Sequence, residues 1–410
     1  MHHVLATITN SSYGFGGVST WLERITQTLP AYGWRVTTVT HALDEQHLVD
    51  WADKHPGINL QPIFGRFVRL NQISSALENY LDREKPDVVI INGSYWMIPT
   101  IQRRKQRGDA IRVIGVCHAD ENGYYNPLFF YRDNLDHIIG VSQTCYAKLL
   151  ALGCPPARTS FLPYGVPCLK QLPPRTYEGP LRLAYVGRLV QSQKRILDFV
   201  PLISELNTRQ VNYRLDFYGA GAEENTLREQ VERIDHNRRV FFHGWIPADQ
   251  VARTVWHQAD IFLLASAYEG LSISMLEAMG HGVVPVVSRV ESGVAQVIHD
   301  GENGYTFEVG DMATCADLIA SLDRDRNQLA LVSHAAWMFV CQEFSIERHA
   351  QRLANILNSV LATPAQMAPA SYMGVTAHPL VRLVPAWALV YARRLFKRGN
   401  PINEGFTTFP

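Results

Sequence analysis

The sequence has no excess of either charge. Its 410 residues carry 38 basic and 38 acidic side chains, so no whole-molecule field draws it to nucleic acid. Cysteine is scarce. Cys117, Cys145, Cys154, Cys168, Cys315 and Cys341 show no CxxC pair and no framework spacing. That excludes a disulfide-stapled fold and leaves scattered, reduced thiols as the expectation. No clustered His, Asp and Cys set of metal-ligand type appears either. No run of about 18 uninterrupted apolar residues occurs, so no membrane-spanning helix is expected. The start, Met1-His2-His3-Val4-Leu5-Ala6, lacks the basic region and apolar core of a secretory signal. These absences place the expected protein in the cytoplasm.

What is present is globular in composition: 47% hydrophobic, 10% aromatic and 19% charged. Disordered, collagen-like and coiled-coil readings are out. At about 150 residues per domain, the length suggests two or three domains.

The order of patterns is more informative. Val4–Ile8 reads as a buried strand, then a glycine-rich loop, then a helix over Val18–Leu29 and a strand over Trp34–Val39. Short β-branched runs follow at Asp87–Ile91, Ile111–Val116, Leu135–Val141 and Thr159–Leu162, with Ser142 placed to cap a helix through Leu152. Pro167, Pro173, Pro174, Gly179 and Pro180 mark a linker. A second alternation then runs through strands Leu181–Val186, Tyr213–Tyr218, Arg239–Phe242, Ile261–Leu264 and Val283–Val287. Helices are expected between them over Arg195–Leu206, Glu223–Ile234, Ala248–His257 and Ser272–His281. Such alternation predicts an α/β protein with parallel sheets covered by helices on both faces. The expected division is 1–167, a linker at 168–180, a second Rossmann-like domain at 181–345, and a terminal helix with a basic tail at 346–410.

Open α/β sheets bind ligands beyond the carboxyl ends of their strands. Three segments stand there. Gly14-Phe15-Gly16-Gly17 precedes a helix and suits either an anion site or a plain tight turn. Its spacing is not that of a dinucleotide fingerprint, and Val39 is followed by Thr40-His41 where a ribose-binding acid belongs. A dehydrogenase is therefore not expected. Gly187-Arg188-Leu189 through Lys194-Arg195 brings cations to a strand end, either as a phosphate grip or as a solvated loop. The third segment runs from Ala267 to Gly280. It sets Glu269 in a loop and Glu277 eight positions on, with the helix N-terminus at Leu271, Ser272 and Ile273 between them. Acids on both sides of an anion site suit a ligand with phosphate in its middle and hydroxyls at both ends. Each Glu alone reads equally as a surface carboxylate, although the apolar setting Met275-Leu276-Glu277-Ala278-Met279 argues against a solvated role for Glu277.

These pieces resemble retaining glycosyltransferase family 4, of GT-B fold. The likeness rests on Gly187-Arg188-Leu189 with Lys194, Gly219-Ala220-Gly221, His243-Gly244, the E-x7-E element Glu269 to Glu277, and Gly301-Glu302-Asn303-Gly304. It is strong over about 180–310 and weaker over 1–180, where Gly16-Gly17, His118 and Leu162-Pro163-Tyr164-Gly165-Val166 carry it. The resemblance implies two Rossmann-like domains facing a cleft and transfer of a sugar, with retained configuration, from a nucleotide sugar (UDP- or GDP-linked). It implies a glycan or lipid-linked acceptor and a place in cell-surface polysaccharide or lipopolysaccharide assembly.

It also implies roles. Arg188 and Lys194 hold the diphosphate and Glu277 the ribose, while Glu269 stands at the sugar hydroxyls near the reacting carbon. His118 reaches the donor sugar. Backbone N–H groups at Gly16, Gly17, Gly187, Gly270, Leu271, Ser272 and Ile273 line the donor. The leaving phosphate oxygen takes the acceptor's proton, and no metal cofactor is expected. Arg195 stands where many members have Gly, and the Arg-to-Lys gap is one residue longer, so Arg195 is expected to share phosphate contacts. Acceptor groups are expected in loops 92–97 and 118–127, which hold Tyr95, Trp96, Tyr124, Tyr125 and Asn126, unless these aromatics simply pack. An inactive nucleotide-sugar-binding paralogue and a GT-B epimerase are the competing expectations.

Residues 382–410 carry Arg382, Arg393, Arg394, Lys397 and Arg398 against Glu404, interleaved with Trp387, Tyr391 and Phe396. This reads either as a membrane-surface helix or as a helix docked on the body. Vesicle sedimentation separates the two. Deleting 382–410 abolishes binding to anionic vesicles in the first case and leaves it unchanged in the second.

Overall fold

The computed structural model describes residues 1–8, 16–40, 57–63 and 70–367. Gly14 and the basic segment 382–410 lie outside them. The chain forms two compact units. Among the described residues, one comprises 1–8, 18–40, 57–63, 70–162 and 350–367; the other comprises 163–349 with Gly16 and Gly17. The boundary thus falls at 162/163 rather than 167, and the chain returns to the first unit from Ala350.

In the first unit, seven strands form one sheet: β1 (His2–Ile8), β2 (Trp34–Thr40), β3 (Leu60–Pro62), β4 (Val88–Ile91), β5 (Arg112–Cys117), β6 (His137–Gly140) and β7 (Thr159–Phe161). Their order is β3-β2-β1-β4-β5-β6-β7 and every pairing is parallel. The covering helices are α1 (Gly17–Thr28), α2 (Leu70–Glu84), α3 (Ile98–Gln106), α4 (Asn122–Phe130) and α5 (Gln143–Ala151). Ser142 caps α5 as its sequence position requires, its Oγ accepting from the Cys145 N–H at 3.1 Å. Runs such as Val88–Ile91 are buried on both faces because helices cover both sides of a parallel sheet.

The second unit repeats the plan with six parallel strands ordered β10-β9-β8-β11-β12-β13. They are β8 (Leu181–Val186), β9 (Tyr213–Tyr218), β10 (Val240–Gly244), β11 (Ile261–Leu264), β12 (Val284–Ser288) and β13 (Tyr305–Phe307). Between and after them lie α6 (Gln191–Lys194), α7 (Phe199–Thr208), α8 (Glu224–Glu232), α9 (Ala248–Val251), α10 (Ile273–Gly280), α11 (Val294–Val297), α12 (Met312–Arg324) and α13 (Arg326–Glu343); α14 (Ile346–Ala362) follows, its residues from Ala350 belonging to the first unit.

Three expectations change. The helix expected over Arg195–Leu206 begins only at Phe199, after a 3-10 turn over Ile196–Asp198. Arg195 turns left-handed at φ 49°, so α6 stops at Lys194 and α7 starts at Phe199. The helix expected over Ala248–His257 continues beyond α9 as a π-helical turn, Ala252–Trp256. The acceptor loop expected over 118–127 is largely the helix α4.

The segment expected as a linker is not slack. Arg175 donates to the Trp256 carbonyl at 2.8 Å, to the His281 carbonyl at 2.7 Å, and to that of Ala259. One guanidinium thereby satisfies carbonyls at the ends of two helical segments, which have no acceptor role left inside their helices.

At the other end, the returning segment is clamped to the first unit. Lys105 and Asp136 form an ion pair at 2.5 Å with side chains 0% and 2% exposed. Asp136 also accepts from the N–H groups of Val113 and Gln366, each at 2.6 Å. Burial pulls the Lys105 ammonium below its ordinary range, with Asp136 opposing. Removing the carboxylate strands a buried cation, so Asp136→Ala is expected to cost about 3–5 kcal/mol. Urea denaturation followed by tryptophan fluorescence checks this; a loss under about 1 kcal/mol contradicts the clamp.

Candidate active site

The order of the second sheet reverses between β8 and β11, which pair directly through Ile261 with Leu183 and Phe262 with Ala184. Loops leaving two such strands diverge to opposite faces and open a crevice at their carboxyl ends. Residues 187–195 follow β8 and residues 265–272 follow β11. The cations and the acids are therefore delivered to one place by topology.

The two loops are tied together by side chains. Lys194 Nζ meets Glu269 Oε1 at 2.5 Å, with the two side chains 13% and 6% exposed. The same Oε1 accepts from Ser266 Oγ at 2.6 Å. Arg188 donates to Gln193 Oε1 at 2.5 Å, and Gln193 Nε2 donates to the Tyr268 carbonyl at 3.2 Å. The Ala267 N–H closes the seam on the Gln193 carbonyl at 2.8 Å. Arg188 itself stays exposed. Arg195 turns away, donating from Nε to Asp198 at 2.7 Å. It is Lys194 that faces the acid.

The acid loop is also held from behind. Ser288, at the end of β12, donates to the Ser266 carbonyl at 2.7 Å, and Ser292 donates to the Gly270 carbonyl at 3.1 Å. All three serines are buried. Gly187 and Leu189 donate to the carbonyls of Tyr218 and Ala220, each at 3.0 Å. Only glycine fits opposite them: a β-carbon on Gly219, at φ 143°, would overlap the Gly187 carbonyl oxygen.

Beyond Gly270 and Leu271, Ser272 caps α10, its Oγ accepting from the Met275 N–H at 3.3 Å. The first N–H groups of α10, from Ile273, have no partner within the helix. Glu277 sits on its second turn, 8% exposed. Its carbonyl accepts from His281 Nδ1 at 2.8 Å, which holds that turn.

His118 belongs to the first unit, at the carboxyl end of β5. Its Nε2 meets Asn92 Oδ1 at 2.8 Å. Asn92 in turn donates from Nδ2 to the Thr7 carbonyl, and its N–H reaches Thr7 Oγ1, both at 2.9 Å. Because the Asn92 amide nitrogen is spent on Thr7, its oxygen faces His118 and places the imidazole proton on Nε2. Trp21 and Tyr124 stand edge-on at 5.3 and 5.9 Å. Burial lowers the imidazole to about 3. Gly16 and Gly17 lead into α1, after β1.

Sequence reasoning missed Gln193, Ser266 and Asn92. The first two lie within or beside the motifs, but only pairing across the crevice reveals their work. Two of the aromatics expected to meet an acceptor belong instead to the core. Tyr95 is 5% exposed, and Tyr125 is 4% exposed and donates to Asp120 at 2.7 Å. Both rings belong to the hydrophobic core of the first unit, where burial stabilises them more than a place on a loop surface. Among the described residues, no cluster of three or more His, Cys, Asp or Glu is placed to hold a metal, and no helix is long and apolar enough to cross a membrane.

Comparison with known proteins agrees with this geometry. The family described as "Glycosyltransferase Family 4" matches residues 15–168, and "Glycosyl transferases group 1" matches 180–325. The chain is 27% identical over 260 residues to the putative colanic acid biosynthesis glycosyltransferase WcaL of Salmonella typhimurium, covering 60% of this chain and 63% of that protein. It is 22% identical over 323 residues to the lipopolysaccharide 1,6-galactosyltransferase of Escherichia coli K12, covering 77% of this chain and 88% of that one. Among solved structures, S. aureus TarM bound to fondaparinux, alpha-GlcNAc-glycerol and UDP superposes with TM-score 0.74 at 13% identity, over 87% of this chain and 100% of that one. The fold is thus that of GT-B glycosyltransferases.

The His118 environment makes a prediction. The folded imidazole takes a proton only near pH 3, the unfolded one near 6.5. Stability from this group is therefore complete above about pH 6.5 and is lost progressively as pH falls toward 3. NMR of the ring protons should show His118 neutral and unchanging between pH 5 and 8. A titration midpoint near 6.5 contradicts this.

Proposed function

The chain belongs to the family 4 glycosyltransferases, and on that premise we propose that it moves a sugar from a nucleoside-diphosphate sugar to a hydroxyl of a glycan or lipid-linked acceptor, with retention of configuration. The observation that carries this reading is the Lys194–Glu269 contact at the β8/β11 switch point. It joins a cation suited to phosphate with an acid suited to sugar hydroxyls. Relatives named for colanic acid and lipopolysaccharide synthesis support a role in cell-surface polysaccharide assembly, and the UDP bound to TarM supports a nucleotide donor.

On this reading Arg188 and Lys194 take the diphosphate, aided by the first N–H groups of α10. Preorganised positive charge at the leaving group lowers the barrier most where solvent is scarce, and it needs no metal to do so. Glu277 holds the ribose. Glu269 orients the sugar through Oε2, since Oε1 is engaged by both Lys194 and Ser266. Two donors on one carboxylate oxygen also make it a poor nucleophile, which favours direct displacement, with the leaving phosphate oxygen taking the acceptor proton. His118, neutral and fixed by Asn92, offers a hydrogen bond rather than a charge to the sugar. The basic 382–410 segment is the candidate contact with an anionic membrane.

Thermal shift with millimolar UDP, GDP, ADP and their sugars tests the donor assignment, because stabilisation follows affinity at about 2.7 kcal/mol for ligand at 100 times Kd. One base is expected to stabilise the protein, and Glu277→Ala to lose that shift. Glu269→Ala is expected to keep the diphosphate shift yet lower sugar transfer by roughly a hundredfold or more, with EDTA leaving wild-type transfer unchanged. No shift with any nucleotide, or near-wild-type transfer by Glu269→Ala, overturns the reading.

A further inference from the structure

Of the six cysteines, four are buried and two, Cys168 and Cys341, are half-buried. Those two lie near each other. Cys341 Sγ lies 4.0 Å from the carbonyl of Leu169, the residue after Cys168, and that carbonyl also accepts from Trp337 Nε1 at 2.9 Å. Cys168 Sγ donates to the Val166 carbonyl at 3.7 Å. The backbone around them is held. Val166 N–H donates to the Phe344 carbonyl at 2.8 Å, Ile346 N–H to Val166 at 3.0 Å, and Leu169 N–H to Gly280 at 3.1 Å.

The position in the chain matters. Cys168 lies five residues after the chain enters the second unit at Pro163, and Cys341 lies on α13, eight residues before it leaves at His349. The pair thus stands where the entering and departing segments are hydrogen-bonded together.

A second thiol pair supplies the contrast. Cys117 and Cys145 are also neighbours, but both are 0% exposed, and burial pushes the Cys117 thiol well up. A thiol without solvent access and without thiolate character is inert. The neighbouring Cys168 instead draws the Cys341 thiol below its ordinary range.

We propose that Cys168 and Cys341 form a reversible thiol–disulfide site, oxidised by small-molecule disulfides, that covalently ties the segment entering the second unit to the helix leading out of it. The Cys341 thiolate attacks one sulfur of the small disulfide, expelling one thiolate and leaving a mixed disulfide on Cys341. The Cys168 thiolate then attacks Cys341 Sγ, forming the protein S–S bond and expelling the second thiolate. Two electrons pass to the small disulfide, and the two protein thiol protons end on the two released thiols. A dithiol reverses the sequence. The tie lies against Gly280, the last residue of the helix that carries Glu277, whose β-position is 3.3 Å from Cys168 Sγ.

The test uses the full chain, native, with excess oxidised glutathione, followed by alkylation, digestion and mass spectrometry. The expected product is a Cys168–Cys341 cross-linked peptide pair, with the intact mass lower by two hydrogens and the other four cysteines alkylated only after denaturation. Cys168→Ser should instead accumulate a glutathione adduct on Cys341, whereas Cys117→Ser should leave the cross-link unchanged. The oxidised wild type should melt at a higher temperature, reversibly with dithiothreitol, and Cys168→Ser should not. Unmodified thiols at equilibrium, a persistent glutathione adduct on wild-type Cys341, or a cross-link involving any other cysteine overturns the proposal.

Discussion

Lys194 and Glu269 are 75 positions apart in the chain, yet their ion pair closes the seam on which the rest of the candidate site depends. Each follows one of two adjacent parallel strands, and each would be a costly buried charge without the other. Once paired, they fix the height of the β8 loop against the β11 loop. Gln193 then reaches both Arg188 and Tyr268, and Ser266 takes up the remaining freedom of the Glu269 carboxylate. Charge neutrality within the pair also explains how a crevice that is mostly buried tolerates a lysine and a glutamate before any ligand arrives.

Backbone geometry makes that pairing available. Gly219 removes the side chain that would otherwise separate the ends of β8 and β9. Ser288 and Ser292 bring β12 up behind the acid loop and satisfy carbonyls that leave regular structure there. The result is a loop built like a rigid element. The first unit uses the same logic at a smaller scale: Thr7, Asn92 and His118, after or on three neighbouring strands, form one hydrogen-bonded row.

Away from the crevice, single charged side chains do the fastening. Arg175 binds three carbonyls and turns a proline-rich segment into a fixed strap. The Lys105–Asp136 pair holds the returning chain near Gln366. Arg182 and Asp260 join the starts of β8 and β11 in a bidentate contact at 3.0 and 2.6 Å, so those two strands are tied by charge at both ends.

The linear sequence determined the order of elements, because strand and helix periodicities are local and each run of β-branched or amphipathic residues carries its own. The paired Rossmann-like plan, the cap at Ser142, the placement of Arg188 and Glu269 in loops just beyond strands, and that of Glu277 on the following helix were all legible there. Tertiary structure alone decided which of those residues meet. That Lys194 rather than Arg195 faces Glu269 follows from one left-handed residue, and side-chain spacing does not reveal backbone handedness at an arginine. That Tyr125 serves the core while Tyr124 stands by His118 follows from which face of α4 packs on the sheet. The return of the chain to the first unit at Ala350, and the meeting of Cys168 with Cys341, depend on contacts between residues far apart in sequence. Such contacts form only when the whole fold brings them together, and no local pattern records them.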